Sequence, residues 1–95
     1  MKVKVTRSTG NVFSDVGFPP EEAENLKIRA DLLIDLIEAL TKRRMKQSEA
    51  TKMLGVTQPR VSDLMRGRIE LFSIDTLVNM LARLGIKVKI KAKVS

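Results

Sequence analysis

From Pro20 the chain sets apolar side chains at Ala23, Leu26, Ala30, Leu33, Ile37 and Leu40, the three-and-four spacing of one helix face. Proline at the start, followed by Glu21, Glu22 and Glu24, suits the positive end of a helix dipole. Lys42, Arg43 and Arg44 suit the negative end. Leu32, Ile34 and Leu36 widen the stripe beyond one core-facing side, so this helix is either wrapped by its own domain or meets a second subunit. A last helix opens on Ser73 as cap, with Asp75 in its first turn. It carries Ile74, Leu77, Val78, Leu81 and Leu84 inward and stops at Gly85.

Between these two lies QSEATKMLGVTQPRVSDLMRG, Gln47–Gly67, around which the chain is organised. Ala50, Met53 and Leu54 mark the inner side of a first short helix, and Gly55 stands where it must turn. Thr57 is the expected cap of a second, and Pro59 falls in its first turn, where a missing N–H costs nothing. The spacing predicts that Gln58–Met65 buries Val61, Leu64 and Met65 and leaves Gln58, Arg60, Ser62 and Asp63 outside. Two short helices joined by a glycine turn, the second with a polar outer side, describe a helix-turn-helix reader of duplex DNA. Arg66, Gly67 and Arg68 follow as a basic turn, and Phe72 is predicted to plug the core.

The chain ends carry the period of two instead. Val3 and Val5 alternate with Lys2 and Lys4. Ile86, Val88, Ile90, Ala92 and Val94 alternate with Lys87, Lys89, Lys91 and Lys93. A lone strand leaves its backbone unpaired, so the tail needs a neighbour: either Val3 and Val5 of the same chain, or its own copy across a two-fold axis. The second is favoured here, which makes Ile86, Val88 and Ile90 dimerisation residues. The stretch NVFSDVGFPP holds Val12, Phe13, Val16 and Phe18 in a segment too broken by Gly17 and two prolines for a long helix. It is either a lid on the protein's own helices or a docking segment for a partner protein.

Composition narrows the function. With 95 residues the chain is one domain, and 43% hydrophobic content is enough for it to fold. No Cys and no His are present, which removes disulfides, thiolate nucleophiles and the commonest metal ligands and general bases. No phosphate-binding glycine loop or nucleophile elbow occurs, so neither an enzyme nor a cofactor is expected. The chain has no long apolar run and no signal peptide, and it reads as soluble and cytoplasmic, off the membrane. Net charge is +7 and unevenly placed. Residues 21–45 hold six acidic against five basic groups, whereas residues 73–95 hold five basic against one acidic. A polyanion is the expected partner. With no Tyr or Trp for base stacking, duplex DNA is favoured over single strands or RNA.

The string GVTQPRVSDLMRG, with Gln47 ahead of it, resembles the XRE family of λ-repressor/Cro-like DNA-binding proteins. NVFSDVGFPPEEAENLKIRADLL upstream and LFSIDTLVNMLARLGIKVKI downstream are similar to HigA-type antitoxins, so the resemblance runs over residues 11–91. Two positions depart from the family pattern: Lys46 stands where Ser or Thr caps the first motif helix, and Thr51 where Ala is usual. The resemblance implies an all-α, five-helix λ-repressor-like domain. Residues 20–85 form its body, residues 1–19 a strand or flexible segment, and residues 86–95 a dimerising β-strand.

The resemblance also implies a sequence-specific repressor that binds a double-stranded DNA operator as a homodimer. Gln58 and Arg60 would read base edges with Pro59 and Ser62 against the groove. Gln47, Lys46, Thr57, Arg66, Arg68, Arg43 and Arg44 would meet phosphate. It adds an antitoxin role toward a toxin of the mRNA-cleaving ribonuclease type, with Val12, Phe13, Val16 and Phe18 as the partner-binding segment. The alternatives are a stand-alone phage-type regulator with no toxin, or a protein-interaction module using the hydrophobic helix Glu21–Leu40.

Overall fold

A computed structural model describes residues 2–5 and 11–94. Its spine is helix α2 (Pro20–Lys42), against which the short helix α1 (Val12–Asp15) and the last helix α5 (Ile74–Arg83) lie. Between α2 and α5 come α3 (Gln47–Leu54), α4 (Gln58–Met65) and a single 3-10 turn, Ile69–Leu71. The fold is mostly helical, as expected, with five α-helices among the described residues. The fifth is α1, inside the segment expected to be strand or flexible. Its single turn is fixed by Asn11, whose Oδ1 accepts the Phe13 and Ser14 N–H groups and whose Nδ2 donates to the Ala23 carbonyl at 3.1 Å. That one side chain caps α1 and ties it to α2.

The core is continuous through the domain. Leu32 and Leu36 of α2, Val61 and Leu64 of α4, Phe72, and Leu77 and Leu81 of α5 are all essentially inaccessible. The wide stripe on α2 resolves into a buried strip with Leu32, Leu33, Leu36, Ala39 and Leu40, while Ile34 stays 59% exposed. α2 closes on Arg44 at φ 51°, the left-handed position that usually goes to glycine. Met45 N–H then reaches back to the Leu40 carbonyl and Arg44 N–H to Thr41. α5 is capped as expected, Ser73 Oγ accepting the Thr76 N–H. Its inward set gains Met80, and Gly85 at φ 78° lets Ile86 N–H return to the Leu81 carbonyl.

The tail departs most from expectation. Strand β2 (Lys87–Ile90) ends four residues short of Val94, which is almost fully exposed. Its partner is β1 (Lys2–Val5) of the same chain, parallel, with Lys2 opposite Lys87, Val3 opposite Val88, Lys4 opposite Lys89 and Val5 opposite Ile90. A parallel pair needs a long crossover, and the whole helical body supplies it. The described register covers four residues of each strand. Ile86 is not a surface for a second copy: at 1% exposed it belongs to the domain's own core, with Val88 half-buried beside it.

Candidate nucleic-acid interface

α3 and α4 meet through a three-residue turn in which Gly55 adopts φ 69° and its N–H closes on the Thr51 carbonyl. A side chain at Gly55 would collide with Arg83, whose guanidinium lies 2.9 Å from the position of a Cβ. Arg83 Nε donates to the Met53 carbonyl at 2.9 Å, so α5 grips the end of α3 and fixes the turn from outside. Nothing local in the sequence announced this contact, because its partners are thirty residues apart. A second arginine acts the same way: Arg43 Nη2 donates to the Leu84 carbonyl at 2.8 Å, tying the end of α2 to the end of α5. Arg43 was expected at phosphate, and one of its donors is engaged within the protein.

On the inner side, Ala50 and Leu54 of α3 and Val61 and Leu64 of α4 are buried as the spacing predicts. Met53 and Met65 are not; they remain 45% and 41% exposed. Each helix is only eight residues long, so its neighbours cover a narrow strip and the flanking methionines fall outside it. Met65 lies on the same side of α4 as Gln58 and faces a groove of about 390 Å³ bounded also by Arg44, Gln47 and Val61. Thr51, larger than the usual alanine, turns its hydroxyl back onto the Gln47 carbonyl at 2.8 Å and fits without burying a polar group unpaired.

The outer side presents the polar residues unequally. Gln47, Gln58, Pro59, Thr57, Arg66 and Arg68 are exposed, and Gln58 Nε2 donates to Gln47 Oε1 at 3.5 Å, so the two motif glutamines stand together at one end of the reader. Thr57 occupies the capping position of α4 with its side chain making no capping hydrogen bond. Lys46 does the same for α3: its N–H donates to Glu49 Oε1 at 2.9 Å, but an ammonium has no lone pair with which to answer. Arg68 lies 4.0 Å from Asp63, a loose, partly exposed pair worth little. Ser62 and Asp63 are half-buried instead of outside.

Arg60 departs furthest. It is half-buried, with Cζ 4.2 Å from the centroid of the Phe72 ring. Two positions apart on a helix of 3.6 residues per turn, Gln58 and Arg60 stand about 160° apart around the axis. The structure therefore does not bring them onto one reading face. Ser62, about 40° from Gln58, does share it.

The comparisons with known proteins agree with this geometry. The profile of a family described as a helix-turn-helix domain matches residues 12–93. The chain belongs to the helix-turn-helix family. A solved structure described as a putative XRE family transcriptional regulator superposes with a TM-score of 0.72 at 30% identity, over 78% of this chain and 83% of the other. Among curated proteins, none matches. The protein is a helix-turn-helix transcriptional regulator with a DNA-binding domain of the XRE type.

Away from the reader, this regulator carries its acidic groups along α2. Partial burial holds the Asp35 carboxyl above its ordinary value, with Glu38 and Asp31 adding repulsion. Phe13 packs edge-on against Phe18 with ring centroids 6.1 Å apart, while Val12 and Val16 are left 61% and 67% exposed. No helix among the described residues is long and apolar enough to cross a membrane, and no cluster of acidic residues there could hold a metal.

Proposed function

We propose that the protein is a sequence-specific repressor that reads duplex DNA with the exposed side of α4 and works in the cytoplasm as a two-fold dimer. The pairing of Gln58 with Gln47 carries this reading. A glutamine held by its neighbour can present its amide to adenine N6 and N7, while Gln47, at the first turn of α3, meets a phosphate. Ser62 lines the same side with Pro59 next to it, and Arg66, Arg68, Arg44, Lys46 and Thr57 border it as phosphate contacts. Gln58→Ala should relax preference at one base pair per half-site, while Arg66→Ala should weaken all sequences alike and flatten the salt dependence. Equal loss on every operator variant for both substitutions would refute base reading by Gln58.

Among the described residues the sheet has two strands, so one edge of β2 has no strand beside it and can pair with its copy across a two-fold axis. The contact would then use the β2 backbone and Ile90, with Ile86 kept for the core. A second role, neutralising a toxin of the ribonuclease type, is supported by the exposed apolar chains of Val12, Val16 and Phe18 around Phe13. Co-purification with the product of a neighbouring gene tests it: retention by the wild type and loss in Val12→Asp/Val16→Asp would support docking there, and no retention would leave a stand-alone regulator.

A further inference from the structure

Base reading uses one side of α4, and the other side carries an arrangement that reading does not need. Phe72 is fully buried in an extended stretch between the 3-10 turn and Ser73. Its ring is fixed by the core on one side and roofed by the Arg60 guanidinium on the other. A guanidinium placed over a ring keeps its N–H donors around its own rim, where they remain free to bond. Among the described residues none of those donors meets an acceptor. A half-buried cation whose donors are left open in this way is set for an anion from outside the protein.

We infer that Arg60 is a phosphate clamp preset by Phe72, and not a reader of bases. The inference rests on α4 being the DNA-reading helix. If the side bearing Gln58 faces base edges, a residue about 160° away is turned from them, so a long side chain there reaches only the phosphodiester backbone at the rim of the groove. Stacking removes rotamer freedom before DNA arrives, so less ordering is left to do on binding. Phe72 is then a positioning residue: it touches no DNA and acts through Arg60.

The test uses the full chain, a duplex selected by the wild type from a random pool, and its single-base-pair variants, each titrated at several salt concentrations. Arg60→Ala should weaken binding by one common factor on every variant and lower the salt slope by about one. Arg60→Lys keeps the charge but loses the stack and the fork. It should hold most of the salt slope yet bind about two- to thirtyfold more weakly, the range of a cation–π contact. Phe72→Leu should weaken binding when Arg60 is present and change nothing further in the Arg60→Ala background. If that core substitution does not fold, Arg60→Lys decides the matter, since it leaves the core intact. A change of base preference in Arg60→Ala would overturn the clamp. Wild-type binding by Arg60→Lys would overturn the role of the stack. Gln58→Ala in the same panel reports separately on base reading, so failure of that reading is distinguishable from failure of this one.

Discussion

The reader and the terminal ribbon are both built from short pieces, eight residues per helix and four per strand, and both display basic side chains. They are held in opposite ways. The reader has weak local anchors, because neither Lys46 nor Thr57 caps its helix with a side chain. Its geometry comes from elsewhere: Ala50, Leu54, Val61 and Leu64 are sunk in the common core, and Arg83 grips the turn from α5. Strand β2 is held less deeply: beyond Ile86, Val88 packs partly on the core and Ile90 is 47% exposed. Tertiary burial can thus leave a surface polar, uncapped and available while keeping it rigid. A strand with so little burial depends on whatever pairs with its edges.

The largest expected effect separates the two regions by function. Removing residues 87–95 should leave the helices folded, since Ile86 and the core behind it remain. If β2 edges join two copies, the truncated chain should sediment as a monomer. Operator affinity should fall by about 10²–10⁴, the usual gain from making a second binding event intramolecular. Loss of Lys87, Lys89, Lys91 and Lys93 alone would instead show as a shallower salt slope. A truncated protein that stays dimeric would move the contact to α2, where Ile34 lies exposed.

Stability separates them next. Leu64→Ala, in the reader's buried side, should cost about 2–5 kcal/mol by urea unfolding. Ile90→Ala in the ribbon should cost less than about 1 kcal/mol, because half of that side chain already meets water. Comparable losses at both sites would mean that the ribbon is part of the core, and the contrast drawn above would fail.

The same contrast explains what the sequence disclosed. Periods of three-to-four and of two located α2, α3, α4, α5 and β2, and the glycines at 55 and 85 placed two of the stops. Those signals are local. Periodicity says which side of a strand is apolar but not what pairs with its edge, so it leaves both β1 of the same chain and a second copy as neighbours of β2, and the structure puts β1 there. Charge and position suggest an exposed Arg60, but a partner twelve residues away, Phe72, draws it half inside. Arg83 and Arg43 carry no local sign of the carbonyls they hold, thirty and forty-one residues distant. A full helical stripe would take Met65 inside, whereas a two-turn helix has only a narrow buried strip and leaves it exposed.

The smallest effect bears on how far the reader relies on its own ends. At Lys46 half of a capping box exists: the Lys46 N–H is bound by Glu49, but the reciprocal acceptor for an α3 amide is missing, and a cation stands at the positive end of the dipole. The backbone there is already extended, φ −71° and ψ 156°, as a capping residue requires. Lys46→Thr should therefore complete the box without moving the chain and stabilise the fold by about 0.5–1 kcal/mol. If Lys46 also meets phosphate, the same substitution should weaken DNA binding uniformly and lower the salt slope by about one. Thermal melting and salt titration of the one variant read both effects. A stabler protein that binds DNA less well would show a cap given up for a phosphate contact. A melting temperature that falls would mean that the core and the Arg83 grip already satisfy α3, and that its first turn gains nothing from a cap of its own.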